Sequence, residues 1–83
     1  MAHFDKQDTY TKVVDIVAEV LSVDKATISE TSTFEQLGAD SLDMLEVVMK
    51  FEETFGVEIN DEEAAQIKSI AQAVEKIQAA RTK

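Results

Sequence analysis
The feature of this sequence best suited to chemistry is a serine hydroxyl set among carboxylates just after a glycine: Ser41, in Gly38-Ala39-Asp40-Ser41-Leu42-Asp43. Several chemistries are excluded at once. Hydrolysis through an activated serine uses a G-x-S-x-G elbow and a histidine base. The elbow is missing, and the single histidine, His3, lies in a polar N-terminal stretch. There is no cysteine, which rules out disulfides, thiolate metal sites and cysteine nucleophiles. The acids lack the D-x-[DN]-x-[DN]-G order of a calcium loop, so no metal site is assigned. Asp40 and Asp43 as an acid–base pair would need burial to tune them, which an exposed helix start does not supply. No catalytic residue is assigned.

Two readings of Ser41 remain. In the first, Ser41 or Asp40 simply caps a helix, as propensity alone favours. In the second, the hydroxyl is presented to another enzyme for covalent modification. A helix N-terminus suits a phosphate ester, because backbone N–H groups and the helix dipole favour an anion there. The neighbouring carboxylates oppose that effect, and their value would lie in recognition by a basic partner.

Charge concentrates around the same segment. The chain of 83 residues has a formal charge of −9 and is 45% apolar, which fits one small acidic domain rather than a disordered acidic chain. A chain this short buries only about 60% of its unfolded surface, so its stability should be modest. Residues 40–63 carry nine acids and one base, Lys50, whereas residues 64–83 carry one acid and four bases. Such a field repels nucleic acid and anionic membranes and attracts basic protein surfaces. No apolar run approaches the roughly 20 residues of a membrane span, and no signal peptide is visible. The expectation is a soluble, cytoplasmic module, with the mature form of an organellar protein as the alternative.

The elements that must position Ser41 read as helices. Tyr10, Val13, Val14, Val17, Val20 and Leu21 form one buried stripe, with Asp8 or Thr9 as its cap. A long irregular stretch, 22–40, needs anchors to be tolerated in a compact domain, and Val23, Ile28, Phe34 and Leu37 are the candidates. Ser32-Thr33-Phe34-Glu35 has the form of a capping box opening one helical turn, which Gly38 ends. A second helix is expected over 41–55, with Leu42, Leu45, Val48, Met49, Glu52 and Phe55 along one side. Met44, Val47 and Phe51 fall outside that stripe, so an apolar residue or two should stay exposed among the acids. Gly56 stops this helix, Asn60 opens a short third helix through Ile67, and Ser69 caps a fourth whose inward residues are Ile70, Ala73, Val74, Ile77 and Ala80. The expected fold is all-α: a small antiparallel four-helix bundle of three main helices and one short one, with a long first loop. It forms a single domain over 1–83, with a flexible tail at 1–7 and a frayed end at 79–83.

The segment Gly38 to Asp43 resembles the attachment motif of acyl carrier proteins. The resemblance continues through Glu46, Met49, Glu52-Glu53, Phe55, Ile59, Asp61-Glu62-Glu63-Ala64 and Ile67, and covers roughly residues 10–78. It implies that Ser41, framed by Asp40, Leu42 and Asp43, accepts 4′-phosphopantetheine from coenzyme A through a phosphodiester. The arm's terminal thiol then carries acyl groups as thioesters, so the reactive sulfur belongs to the prosthetic group. The protein implied is a carrier and not an enzyme. Its acyl chain can retreat between the helices, into a pocket lined here by Leu45, Val48, Phe55, Ile59, Ile67 and Ile70. The sequence departs from the commonest family pattern at Asn60, where proline is frequent, and at Met44, where a small hydroxyl residue is common.

The resemblance also implies partners: a phosphopantetheinyl transferase and fatty acid synthesis enzymes with basic docking patches, engaged by a monomer. The docking surface maps onto Asp40, Leu42, Asp43, Glu46, Met49, Glu52, Glu53, Ile59 and Asp61. The reading is a discrete carrier of dissociated (type II) fatty acid synthesis. Its alternatives are a carrier of a polyketide or other specialised acyl pathway and, in a different class, an unmodified acidic helical adaptor.

Overall fold
The computed structural model describes residues 5–81, which fold into four helices and one 3-10 turn. Helix α1 (Lys6–Leu21) starts one turn earlier than the sequence suggests. Its cap is Asp5, whose extended backbone lets the carboxylate accept the Gln7 N–H at 2.9 Å. Neither Asp8 nor Thr9 is the cap: Asp8 lies in the first turn, where an acid favours the helix dipole, and Thr9 is fully buried. Residues 5–7 of the expected tail therefore belong to the helix start, and residues 1–4 lie outside the described part. Val13, Val14, Val17 and Ala18 face the core, while Tyr10, Val20 and Leu21 pack against it half-buried.

The long connection from α1 is anchored along its length. A 3-10 turn (Lys25–Thr27) is capped by Asp24, and Lys25 pairs with Asp15 of α1 at 2.7 Å. Ile28 and Phe34 are buried and Val23 and Leu37 half-buried, so all four expected anchors touch the core. The capping box lies one residue later than the sequence suggests. Thr33 and Gln36 exchange side-chain-to-backbone bonds, each 3.1 Å. Ser32 is occupied elsewhere: its Oγ accepts the Ser29 N–H at 3.0 Å and its carbonyl accepts the Ile70 N–H at 3.0 Å. Gly38 ends the turn at φ +84°, a left-handed conformation that favours glycine.

Helix α2 (Ser41–Phe55) has the expected bounds. Val47, Val48 and Phe51 are buried, and Met44 and Phe55 pack against the core. Leu42, Leu45 and Met49 are 74%, 59% and 61% exposed, so the apolar residues expected among the acids number three, and Leu42 and Met49 are as open as a docking surface requires. Two apolar stripes at three- and four-residue spacing share this helix, and the wider one, containing Phe51, is buried. Gly56 ends α2 in the left-handed region. Asn60 caps the short helix α3 (Asp61–Gln66), accepting the Glu63 N–H at 2.8 Å. Ile67, just past it, is buried.

Helix α4 (Ile70–Arg81) buries Ile70, Ala73, Val74 and Ile77, with Ala80 half-buried. Its first amide groups are satisfied largely by the long connection, since Ile70 donates to the Ser32 carbonyl and Ala71 to the Glu30 carbonyl. Gln72 donates to Ser69 Oγ at 3.2 Å. In return Phe34 donates to the Lys68 carbonyl at 3.0 Å. Thr33 and Ser69 form an isolated antiparallel bridge at this seam, and no strand occurs among the described residues.

Residues 79–81 lie inside α4, and residues 82–83 are outside the described part. Arg81 reaches back across the bundle, donating to Thr9 Oγ1 at 3.0 Å and lying 3.5 Å from Asp8 Oδ2. Its guanidinium lies 4.9 Å from the centre of the Phe55 ring, and Phe55 stacks at a tilt on Phe51. Thr9, a buried polar residue, also donates to Gln78 Oε1. The cluster ties the start of α1 and the ends of α2 and α4 together. The Asp8 pair contributes little, since Asp8 is half exposed. The buried guanidinium contributes through its hydrogen bond and its ring contact. Replacing Arg81 by Ala should destabilise the fold by about 1–3 kcal/mol, read as a lower urea midpoint with an unchanged slope.

Candidate functional site
The start of α2 is built by two aspartates. Asp40 precedes the helix in extended conformation, and its Oδ1 accepts the Asp43 N–H at 2.8 Å. Asp43 returns the bond, its Oδ2 accepting the Asp40 N–H at 3.2 Å. This reciprocal box satisfies backbone donors at the helix start. Of the two caps the sequence allowed, it selects Asp40. Ser41 is left as the first helical residue, exposed and outside the box.

Ser41 lies on the rim of an open cleft of about 810 Å³ between α2, α3 and the end of the long connection. Met44, Leu45, Val48 and Met49 line it from α2, Ile59 and Ile67 from either side of α3, and Ala64 and Ala65 from α3 itself. The volume falls within the roughly 300–1,000 Å³ range of small-molecule sites. Leu45, Val48, Ile59 and Ile67 were expected to line it. The structure excludes the other two expected residues: Phe55 packs on Phe51 under Arg81, and Ile70 is fully buried behind the seam with the long connection. Met44 and the alanines of α3 were missed as lining residues because their place depends on how α3 sits against α2, which local periodicity does not reveal.

The expected surface residues divide into two groups. Asp40, Met49, Glu52, Ile59 and Asp61 line the same cleft as Ser41. Leu42, Asp43, Glu46 and Glu53 lie outside it on α2, with Leu42, Glu46 and Glu53 exposed and Asp43 half-buried. Glu52 has an internal role as well: its Oε2 accepts the Ile59 N–H at 2.9 Å and holds the α2–α3 connection. Among the described residues no group of three or more His, Cys, Asp or Glu side chains could hold a metal ion, and no helix is long and apolar enough to cross a membrane.

The donor set suits a covalently attached phosphate ester better than a metal or a bound nucleotide. It offers one exposed hydroxyl at the N-terminus of a 15-residue helix, beside an open cleft walled by apolar side chains and rimmed by acids. A fold of four helices around such a site defines a class of small domains that bear a prosthetic arm. Residues 11–77 match the family described as the phosphopantetheine attachment site. The chain belongs to that family and, within it, to the acyl carrier proteins. It is 43% identical over 77 residues to an acyl carrier protein of Trieres chinensis, covering 92% of this chain and 96% of that protein. It is 45% identical over 72 residues to one from Guillardia theta, covering 86% and 89%. The crystal structure of the Thermotoga maritima acyl carrier protein superposes with a TM-score of 0.80 at 32% identity, over 94% of this chain and 92% of that one. A thermally stable acyl carrier protein from Enterococcus faecalis gives 0.78 at 27% identity, over 93% and 99%. The protein is a carrier of acyl groups on 4′-phosphopantetheine, working with partner enzymes and catalysing no reaction itself.

The capping geometry separates the two residues at the helix start. Asp40→Ala removes the box and should cost about 0.5–2 kcal/mol, whereas Ser41→Ala should stay within about 0.5 kcal/mol of wild type. Urea denaturation of the two variants side by side measures both.

Proposed function
We propose that Ser41 is the attachment residue and that the loaded protein is a monomeric cytoplasmic shuttle of dissociated fatty acid synthesis. The observation that carries the attachment is the capping box: because Asp40 and Asp43 satisfy each other's backbone, the Ser41 hydroxyl is not spent on the helix. The Ser41 Oγ would attack the pantetheine-side phosphorus of the coenzyme A pyrophosphate, breaking its bond to the bridging oxygen; adenosine 3′,5′-bisphosphate leaves and the hydroxyl proton passes to the transferase. When bound, the arm provides the thiol on which acyl groups are held as thioesters. The chain's own residues contribute a fixed anchor, an open cleft beside it with apolar side chains on its walls, and a charged face for docking.

The docking face supports fatty acid synthesis enzymes with basic patches as partners. Glu46 and Glu53 are exposed on α2, and Leu42 and Met49 offer apolar contacts among them. Exposed ion pairs contribute about 0–1 kcal/mol each, so several together give binding that is fast and short-lived. A shuttle needs that, since it must leave each enzyme after one step. Asp40, Asp43 and Glu52 bind backbone amides of their own chain, so among the acids of this surface Glu46, Glu53 and Asp61 carry most of the docking.

Incubation with coenzyme A and a phosphopantetheinyl transferase, read by intact mass, should add one phosphopantetheine to wild type and none to Ser41→Ala. An unmodified wild type beside a modified control carrier would overturn the reading. Glu46→Lys should lower partner kcat/KM on the order of 5-fold, the ratio that about 1 kcal/mol represents, with little change in the urea midpoint. Added salt should shrink the difference. Partner kinetics indifferent to both the reversal and the salt would refute electrostatic docking.

A further inference from the structure
Two clefts meet beside α2. The larger, of about 810 Å³, has Ser41 on its rim; a second, of about 350 Å³, opens between the long connection and the α3–α4 junction and is lined partly by Thr33 and Phe34. Five residues line both: Glu35, Ala39, Met44, Ile67 and Lys68. Their physical characters differ. Ile67 is 3% exposed and fixed in the core. Ala39 is too short to move aside. Glu35 and Lys68 are charged and exposed, and an apolar chain gains nothing by contact with their head groups. Met44 is the remaining wall. It is half-buried, packs against the core, and is unbranched with three rotatable side-chain bonds.

We propose that Met44 is the specificity-determining residue that sets how much of a carried acyl chain is shielded. The proposal rests on the reading that the arm is attached at Ser41. A chain led inward from that rim along Leu45 and Val48 stays in the first cleft, and one that turns toward the second must pass Met44, which lines both. With Met44 in place the shielded length is that of the first cleft, and further methylenes remain in water. Shielding stabilises the protein only through apolar surface removed from water, so the gain stops growing once the added carbons stay outside.

The test loads a series of saturated acyl-phosphopantetheine groups, from four to sixteen carbons (roughly the span over which apolar area grows steadily), onto wild type, Met44→Ala and Met44→Phe. Intact mass verifies loading, with Ser41→Ala as the unloaded control. The melting temperature of each loaded form is then compared with the same variant's unacylated form, so any stability cost of the substitution itself cancels. In wild type the increment should rise with chain length and then level off. In Met44→Ala it should level off about three carbons later, matching the three heavy atoms removed, and in Met44→Phe earlier. Failure of wild type to load would overturn the attachment reading and this inference with it. Successful loading with the same levelling point in all three proteins would overturn the role of Met44 alone.

Discussion
The seam between residues 30–34 and residues 68–71 is the constraint on which the rest of the structure depends. A helix begins with amide groups that have no partner inside it, and burial makes an unpaired donor costly. At α4 the carbonyls of Glu30 and Ser32 answer that need, while the Lys68 carbonyl takes the Phe34 amide. A connection that would otherwise be a long surface loop is thereby held to the bundle by backbone bonds at three points. Its course fixes where Phe34 enters the core, and so where the turn ending at Gly38 delivers Asp40. The position of Ser41 beside α3 follows from bonds made by residues that never touch it.

The same arrangement divides labour among the acids. A sequence so acidic over 40–63 invites a reading in which every carboxylate faces a partner. The structure shows that Asp40 and Asp43 bind each other's backbone and Glu52 binds the Ile59 amide. Asn60 does similar work at α3 without charge. Local anchoring and long-range attraction are compatible, because a carboxylate that accepts an amide hydrogen bond keeps its negative charge. The field therefore survives, but the side chains free to rearrange against a basic surface are fewer than the sequence implies.

Most helix positions were legible from local signals. Gly56 and Asn60 mark boundaries by the conformation and the hydrogen bond they accept, the first ending 41–55 and the second opening the third helix. What sequence did not resolve was orientation. On α2 the Leu42-Leu45-Met49 stripe and the Met44-Val47-Val48-Phe51 stripe have nearly the same spacing, and only contact with α1 and α4 decides between them. The cap of α1 was misplaced for a related reason: Thr9 has a good capping side chain, yet tertiary packing buries it against Gln78 and Arg81. The cleft was half legible, since Val48 and Ile67 advertise burial while the place of Met44 depends on how two helices meet.

This orientation of α2 bears directly on how a carrier can function. Had Leu42, Leu45 and Met49 been the core stripe, the helix would present mostly charge, and contact with partners would rest on screened ion pairs alone. With Val47 and Phe51 inside instead, Leu42 stands beside Ser41 and Met49 lies on the cleft that Ser41 borders. Apolar area near the attachment point then adds affinity only after charge has oriented the encounter, because apolar contact acts at short range and charge at longer range. The exposed stripe is small enough to keep each contact weak. Steering and release thus come from different residues on one short helix, and the buried face of that helix holds both in register with the anchor.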